Sequence, residues 1–321
     1  MPLDHFVSQV HLKNFYSNGG CGPLVGIKKD DLKKFRPWSD NVCRRPDGST
    51  NDFLVEPRAI EAFLKRVEPN YNTALEAIRR RDIDETAVYV IAGFVAYVMT
   101  CSPTAMRIGT PHIAATLQSA AEIIDAQGLF PAAPKELGNK SMTELLEMGA
   151  VRFNVNERYP QAIGITSIEA RVDVLGNAGW DVMFADPAYG TFFTSDFPVG
   201  LGPSFDNRVV SKTVPLAPDI AVRIHPKIRE RGMELDFSFP HFRARFRKLR
   251  PEETREVNRQ LVRAAETMVF YNDDAEWLLP FVRKNRNHRV ESLVDRIPAP
   301  GGGKMVVAKQ GVMPYQRPSL P

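Results

Sequence analysis

The feature that most restricts how this chain can fold is a run without a single charged residue, from Thr86 to Met106, inside which Ala87 to Met99 is apolar throughout. A membrane-spanning helix needs ~20 predominantly apolar residues. Here the strongly apolar part is shorter, and Ser102-Pro103 interrupts it. A helix hydrophobic on every side equally suits the centre of a large core. The run therefore predicts a buried helix, from about Asp82 to Cys101, and no membrane span.

The rest of the composition agrees with that reading. The 321 residues suffice for one large domain or two ordinary ones, and 43% hydrophobic with 25% charged residues is a globular balance. A net charge of +4 favours anionic partners only weakly. Three scattered cysteines, Cys21, Cys43 and Cys101, point to a reducing compartment and show no metal spacing. The opening Met1-Pro2-Leu3-Asp4 lacks the basic and apolar regions of a signal peptide. The expectation is a cytoplasmic protein.

The organisation predicted is α+β: a helical half packed on an antiparallel sheet, with two C-terminal helices. Residues 1–297 would form one domain, helical over 1–160 and sheet plus helices over 161–297. The Pro- and Gly-rich residues 298–321 would be a flexible tail. Leu24 to Ile27 reads as a short strand. Ile60, Phe63, Leu64, Val67, Tyr71, Ala74, Leu75 and Ile78 share one helical face, with Pro69 kinking the helix between Pro57 and Arg80. A further helix runs from about Thr104 to Gln127, with Pro111 a possible break. Another is capped by Ser141 with Glu144 three residues on. Ile165 to Val174 alternates as a half-buried strand does. Asp181–Phe184 and Thr191–Thr194 read as two arms of a hairpin. Val214–Leu216 and Ile220–Ile224 are strands, and helices cover about Glu252–Thr267 and Asp274–Arg286.

The chemistry sits on polar groups placed among apolar ones. In His5-Phe6-Val7-Ser8-Gln9-Val10-His11-Leu12, a helix would set His5 and Gln9 on one face with Leu12 and Tyr16. Buried polar groups left unpaired cost about 1–3 kcal/mol each, so these two call for partners from elsewhere in the chain. Thr194-Ser195-Asp196 ends an apolar strand: Asp196 is an acid, base or ligand there, or else all three serve as turn residues. Asn258 lies within the apolar arc of its helix, as a site residue or as a tie to a neighbouring carbonyl. Glu61 and Glu68 flank the kinked helix, and Glu68 adjoins its kink. Arg243, Arg245 and Arg247 alternate with Phe242, Ala244 and Phe246. Such a strip would hold phosphates or simply guard a strand edge. No GxxxxGK[ST], GxGxxG, HExxH or CxxC occurs, and Gly200-Leu201-Gly202-Pro203 is too short to cradle phosphate. The six histidines do not pair at metal spacing, although His5 could join carboxylates brought to it by folding.

These motifs resemble a large, mainly bacterial family known only as a numbered domain of unknown function. Its members open with His-His-x-x-Pro-x-x-x-Leu-x-x-Phe and later carry Thr-Ser-Asp-Asn-Pro after an aromatic residue. His5, Gln9, Leu12, Asn14 and Phe15 keep the opening, while Phe6 replaces the second histidine. Phe193-Thr194-Ser195-Asp196-Phe197-Pro198 keeps the later motif with Phe197 in place of asparagine. The Glu-rich helix and Val257-Asn258 are similar too. The family's Arg-x-Pro element is Cys101-Ser102-Pro103 here, which leaves any role of that arginine missing or passed to Arg107. The resemblance implies a shared polar cluster and no particular reaction.

The expectation built on these residues is a hydrolase of phosphodiester bonds, nuclease-like. His5 acts as base or metal ligand, and Asp196 and Glu68 as ligands or acid. Gln9, Asn258, Thr194, Ser195, Arg243, Arg245 and Arg247 hold the substrate. A divalent metal is the cofactor considered, and nucleic acid or another anion the partner. The alternatives are a non-catalytic nucleic-acid- or protein-binding module using residues 243–250, or a purely structural role in which His5 and Asn258 tie the termini to the sheet.

Overall fold

In the computed structural model, which describes residues 3–204, 206, 208–228, 234–298 and 304–317, the chain opens with strand β1 (Leu3–His5) and the short helix α1 (Gln9–Lys13). The single opening helix expected from the sequence is thus broken. β1 pairs antiparallel with β4 (Arg44–Pro46), His5 opposite Arg44, and the Phe6 amide donates to the Cys43 carbonyl at 2.8 Å. Strands β2 (Val25–Lys28) and β3 (Lys34–Phe35) precede β4.

The helical half follows. Helices α2 (Ala59–Val67) and α3 (Tyr71–Arg80) are parted by one tight turn at Glu68–Asn70, because Pro69 cannot donate to the preceding turn. Asp84 caps α4 (Glu85–Cys101) by accepting from the Ala87 amide at 2.7 Å. Ser102 caps α5 (Pro103–Ala126), which runs through Pro111 unbroken. Ser141 and Glu144 make the expected capping box of α6 (Met142–Glu147). Helices α7 (Tyr159–Thr166) and α8 (Ile168–Gly176) stand where a strand was predicted over 165–174. Ile165, Ile168, Val172 and Leu175 also fit a three-and-four spacing, and packing on α4 selects it.

The remaining strands are β5 (Gly179–Phe184), β6 (Thr194–Ser195), β7 (Gly200–Pro203), β8 (Val210–Ala217), β9 (Ile220–His225) and β10 (Arg243–Lys248). Helix α9 (Pro251–Ala264), strand β11 (Met268–Tyr271), helix α10 (Leu278–Asn285) and strands β12 (His288–Pro298) and β13 (Lys304–Pro314) complete the chain. One sheet has the order β10-β5-β9-β8-β7, antiparallel except for parallel β10–β5. A second has the order β3-β2-β11-β6. The expected hairpin of 181–184 with 191–194 does not form, because β5 and β6 belong to different sheets. Part of the expected flexible tail is ordered: β13 pairs with β12 from His288–Pro314 to Pro298–Lys304. Residues 299–303 and 318–321 of that tail lie outside the described residues.

The architecture is α+β, with α4 at its centre. Val88, Ile91, Phe94, Val95 and Val98 are buried against α2, α3, α8 and the larger sheet. Gly93 lets α2 approach: a Cβ there would sit 2.8 Å from Val67 Cγ2. Among the described residues no single helix is long and apolar enough to cross a membrane.

Candidate functional site

Most of the polar residues singled out in the sequence are anchored by hydrogen bonds, but to different partners. His5 Nε2 lies 3.0 Å from the Ser39 carbonyl, and the His5 carbonyl accepts from the Tyr97 hydroxyl. Ser39 Oγ donates to Gln9 Oε1 at 3.2 Å and accepts from the Tyr16 hydroxyl at 2.8 Å. Burial holds the His5 pKa below its usual value, opposed only in part by the Ser39 carbonyl and the charge of nearby Glu68. The fold therefore gathers His5, Gln9 and Glu68 near Ser39.

Asp196 is employed differently. Its Oδ1 accepts from the Glu266 amide at 2.9 Å. Its Oδ2 accepts from the Thr267 amide at 2.7 Å, the Thr267 hydroxyl at 2.6 Å and the Met268 amide at 3.1 Å. The carboxylate thus holds the link between α9 and β11, with both oxygens spent. Burial pushes its pKa up, against the pull of the Thr267 donors and the Lys29 ammonium. Lys29 itself closes the C-terminus of α9, donating to the carbonyls of Val262, Arg263, Ala265 and His288.

Thr194 serves a histidine that the sequence reading passed over. His11 is fully buried, with Nε2 2.7 Å from Thr194 Oγ1 and Nδ1 2.8 Å from the Tyr71 hydroxyl. A consistent proton arrangement has Thr194 donating to Nε2 and Nδ1–H donating to Tyr71, whose hydroxyl reaches the Leu216 carbonyl at 3.3 Å. Burial lowers the His11 pKa to about 3, so the ring is neutral. The available signal was spacing: in a helix starting at Gln9, His11 shares a stripe with Phe15. Asn258 also acts as a backbone surrogate, accepting from the Phe193 amide at 2.9 Å and donating to the Thr191 carbonyl at 2.7 Å. Ser195 Oγ accepts from the Phe197 amide at 3.2 Å. In the candidate set, then, Asp196, Asn258, Thr194 and Ser195 are each tied into the fold by hydrogen bonds.

The arginine strip is β10, at the edge of the larger sheet. Arg245 bonds Asp181 at 2.8 and 3.0 Å, and Arg247 bonds Glu253 at 2.7 Å. Lys248 pairs with Asp186 at 2.9 Å. Arg243 turns to the carbonyls of Pro240 and Phe242. With these carboxylates in place, the strip carries far less net charge than its sequence implies. Among the described residues no three His, Cys, Asp or Glu side chains converge as metal ligands.

Besides a pocket of about 390 Å³ lined by Asn258, Arg255, Trp277 and Lys284, a cavity of about 1350 Å³ with the form of a ligand site lies between α5, α7, α8, β8 and the β12–β13 hairpin. Its walls include Ile108, Ile113, Ile163, Leu175, Phe197 and Leu201, and no Asp or Glu among the described residues lines it. Two cations do. Arg171 Nη1 donates to the Met99 carbonyl at 2.8 Å and to Thr100 Oγ1 at 3.2 Å, and burial lowers its pKa. Lys212 Nζ donates to the Val210 carbonyl at 2.9 Å. Burial, and then the charge of Arg171, pull the Lys212 pKa down to about 8. Neither pairs with a carboxylate of the described residues. Arg107, by contrast, meets Glu266 and Glu291, and Arg296 meets Glu122. So Arg107 is not available to replace an arginine at position 101. Arg171 is close enough to Cys101 for its charge to act on the thiol, whose pKa burial drives up to about 12. Read as a helix, residues 168–175 place Arg171 on the face of Ile168 and Leu175. The strand reading concealed that placement.

The molecule is thus an α+β protein with several polar nodes tied into the fold and a large cavity lined by cations. It belongs to the family described as "protein of unknown function (DUF4238)", which residues 4–275 match. No curated protein and no solved structure matches the chain.

Proposed function

We propose that this protein binds an anionic small molecule in the cavity floored by Arg171 and Lys212. One observation carries the reading: two neighbouring cations, largely withdrawn from water, line one cavity and pair with no carboxylate of the described residues. Burying like charges together is costly, and buried charges are ordinarily paired. An anion supplies the missing partner, and Arg171 adds the planar donor fork suited to carboxylate or phosphate. Phosphodiester hydrolysis through His5, Glu68 and Asp196 has less support. Asp196 already accepts four hydrogen bonds, and His5 leans on a backbone carbonyl. Nucleic-acid binding along Arg243 to Arg247 has less support as well, because Asp181 and Glu253 already neutralise Arg245 and Arg247.

The test is calorimetric titration with inorganic phosphate, pyrophosphate and octanoate at low salt. Saturable binding of at least one of them is expected, weakened about tenfold or more in Lys212→Met, in keeping with loss of a charge-assisted contact. Binding that ignores the substitution, or none with any probe, overturns the reading.

A further inference from the structure

We propose that the ligand of this cavity is a single-chain amphiphile, its anionic head on Arg171 and Lys212 and its alkyl chain along the apolar wall between α5 and α7. The proposal rests on the anion-binding reading and adds the substrate class.

Size is the first argument. Small-molecule pockets run from about 300 to 1,000 Å³, and this one reaches about 1350 Å³. An inorganic anion would fill a small corner and leave the remaining water against hydrocarbon. The second argument is the distribution of polarity. Ile113 and Leu117 stand one turn apart on α5 with His112 and Thr116 beside them, and Ile163 of α7, Leu175 of α8 and Phe197 add to the apolar lining. The charged pair adjoins Thr100, at the end of α4, where Arg171 is tethered. Ile, Leu and Phe side chains beside the Arg171–Lys212 pair complement an amphiphile, while Thr116, Ser292 and Gln310 are polar groups on the rest of the lining.

Exposure supplies the third argument. Leu117 and Ile163 remain 42% and 47% exposed although both line the cavity. Apolar groups left open to a cavity are what a bound chain would cover. The sign of the lining completes the case. Arg208, Lys227 and Lys309 accompany Arg171 and Lys212, and no carboxylate of the described residues lines the cavity, which disfavours cationic guests. The head is a carboxylate or a phosphate monoester, since Arg171 and Lys212 can donate to either.

The experiment is calorimetric titration of the full chain with alkanoates and alkyl phosphates of increasing length, below their micelle concentrations. Dodecanol and dodecyltrimethylammonium serve as charge controls, and inorganic phosphate as the head alone. Affinity is expected to rise about fourfold per added methylene until the wall is covered. The uncharged and cationic chains should bind at least about tenfold more weakly than the anion of equal length. Which head binds tighter distinguishes a fatty acid from a phosphorylated lipid. Ile163→Gln, on a half-open helix face, should flatten the chain-length gain, and Leu117→Gln provides a second variant should the first fold poorly. If short anions bind through Lys212 but added methylenes contribute nothing, the amphiphile is wrong and the anion site stands. If no anion of any length binds, both fall. If the cationic or neutral chain binds as well as the anion, the cavity is a plain hydrophobic slot and the proposal is overturned.

Discussion

Replacing Lys212 with methionine should make the protein more stable and worse at binding. Methionine keeps much of the apolar stem and drops the charge. In the native protein the Lys212 pKa falls from 10.5 to about 8. At about 1.36 kcal/mol per pKa step, that span penalises the folded state near neutral pH by about 3 kcal/mol. Losing the bond to the Val210 carbonyl returns about 1 kcal/mol, leaving a net gain of about 2 kcal/mol. For a chain of this length each kcal/mol moves Tm by about 2 °C, so the variant should melt about 4 °C higher. The pH dependence has a definite sign. Because the folded pKa lies below the unfolded one, the penalty is complete below about pH 8 and fades as pH rises from about 8 to 10.5. The folded protein sheds its proton first in that window, so the wild type closes on the variant there. Urea unfolding of both proteins near neutral pH and near pH 10 measures the gap directly. Saturating anion should reverse the order near neutral pH, because only the wild type gains appreciable binding energy. A variant less stable than the wild type near neutral pH, or a gap that does not narrow with pH, would refute the reasoning.

Three further outcomes follow from the committed nodes. His11 is neutral with a pKa of about 3, so acid should destabilise the protein as pH falls from about 6.5 toward 3, by up to about 5 kcal/mol. His11→Gln should abolish that component, as read from urea midpoints across the acid range. Asp196→Asn turns one acceptor oxygen into a donor against amides that already donate. It should cost about 3 kcal/mol in unfolding free energy, and an unchanged midpoint would show that the α9–β11 link does not depend on it. Arg245→Ala should alter single-stranded DNA binding by no more than about twofold, since Asp181 already answers that charge. A tenfold loss in a filter-binding assay would restore β10 as a nucleic-acid surface.

Local signals carried well where the chain's own periodicity decided the outcome. The stripe from Ile60 to Ile78, broken at Pro69, became α2 and α3 with a single turn between them. The uncharged run became the buried α4, and Ser141 with Glu144 made its capping box. Family membership was legible too, because His5, Leu12, Phe15 and Thr194-Ser195-Asp196 survive as short strings. Short strings did not show which histidine is buried. His11 was selected by Tyr71 and Thr194, and the latter lies 183 residues away.

What the sequence determined by itself was α2 to α6 and α9, the break at Pro69, the capping box at Ser141 and the α+β class. Those depend on neighbours within a few turns, where spacing of apolar groups and cap chemistry act. Tertiary structure alone decided that 165–174 is helical, that β5 and β6 belong to separate sheets, and that Asp196 faces the amides of residues 266–268. It alone set Arg171 and Lys212 on one apolar cavity. The reason is range: burial and hydrogen-bond partnership depend on which distant segments pack together, and a residue's own neighbours along the chain do not encode that.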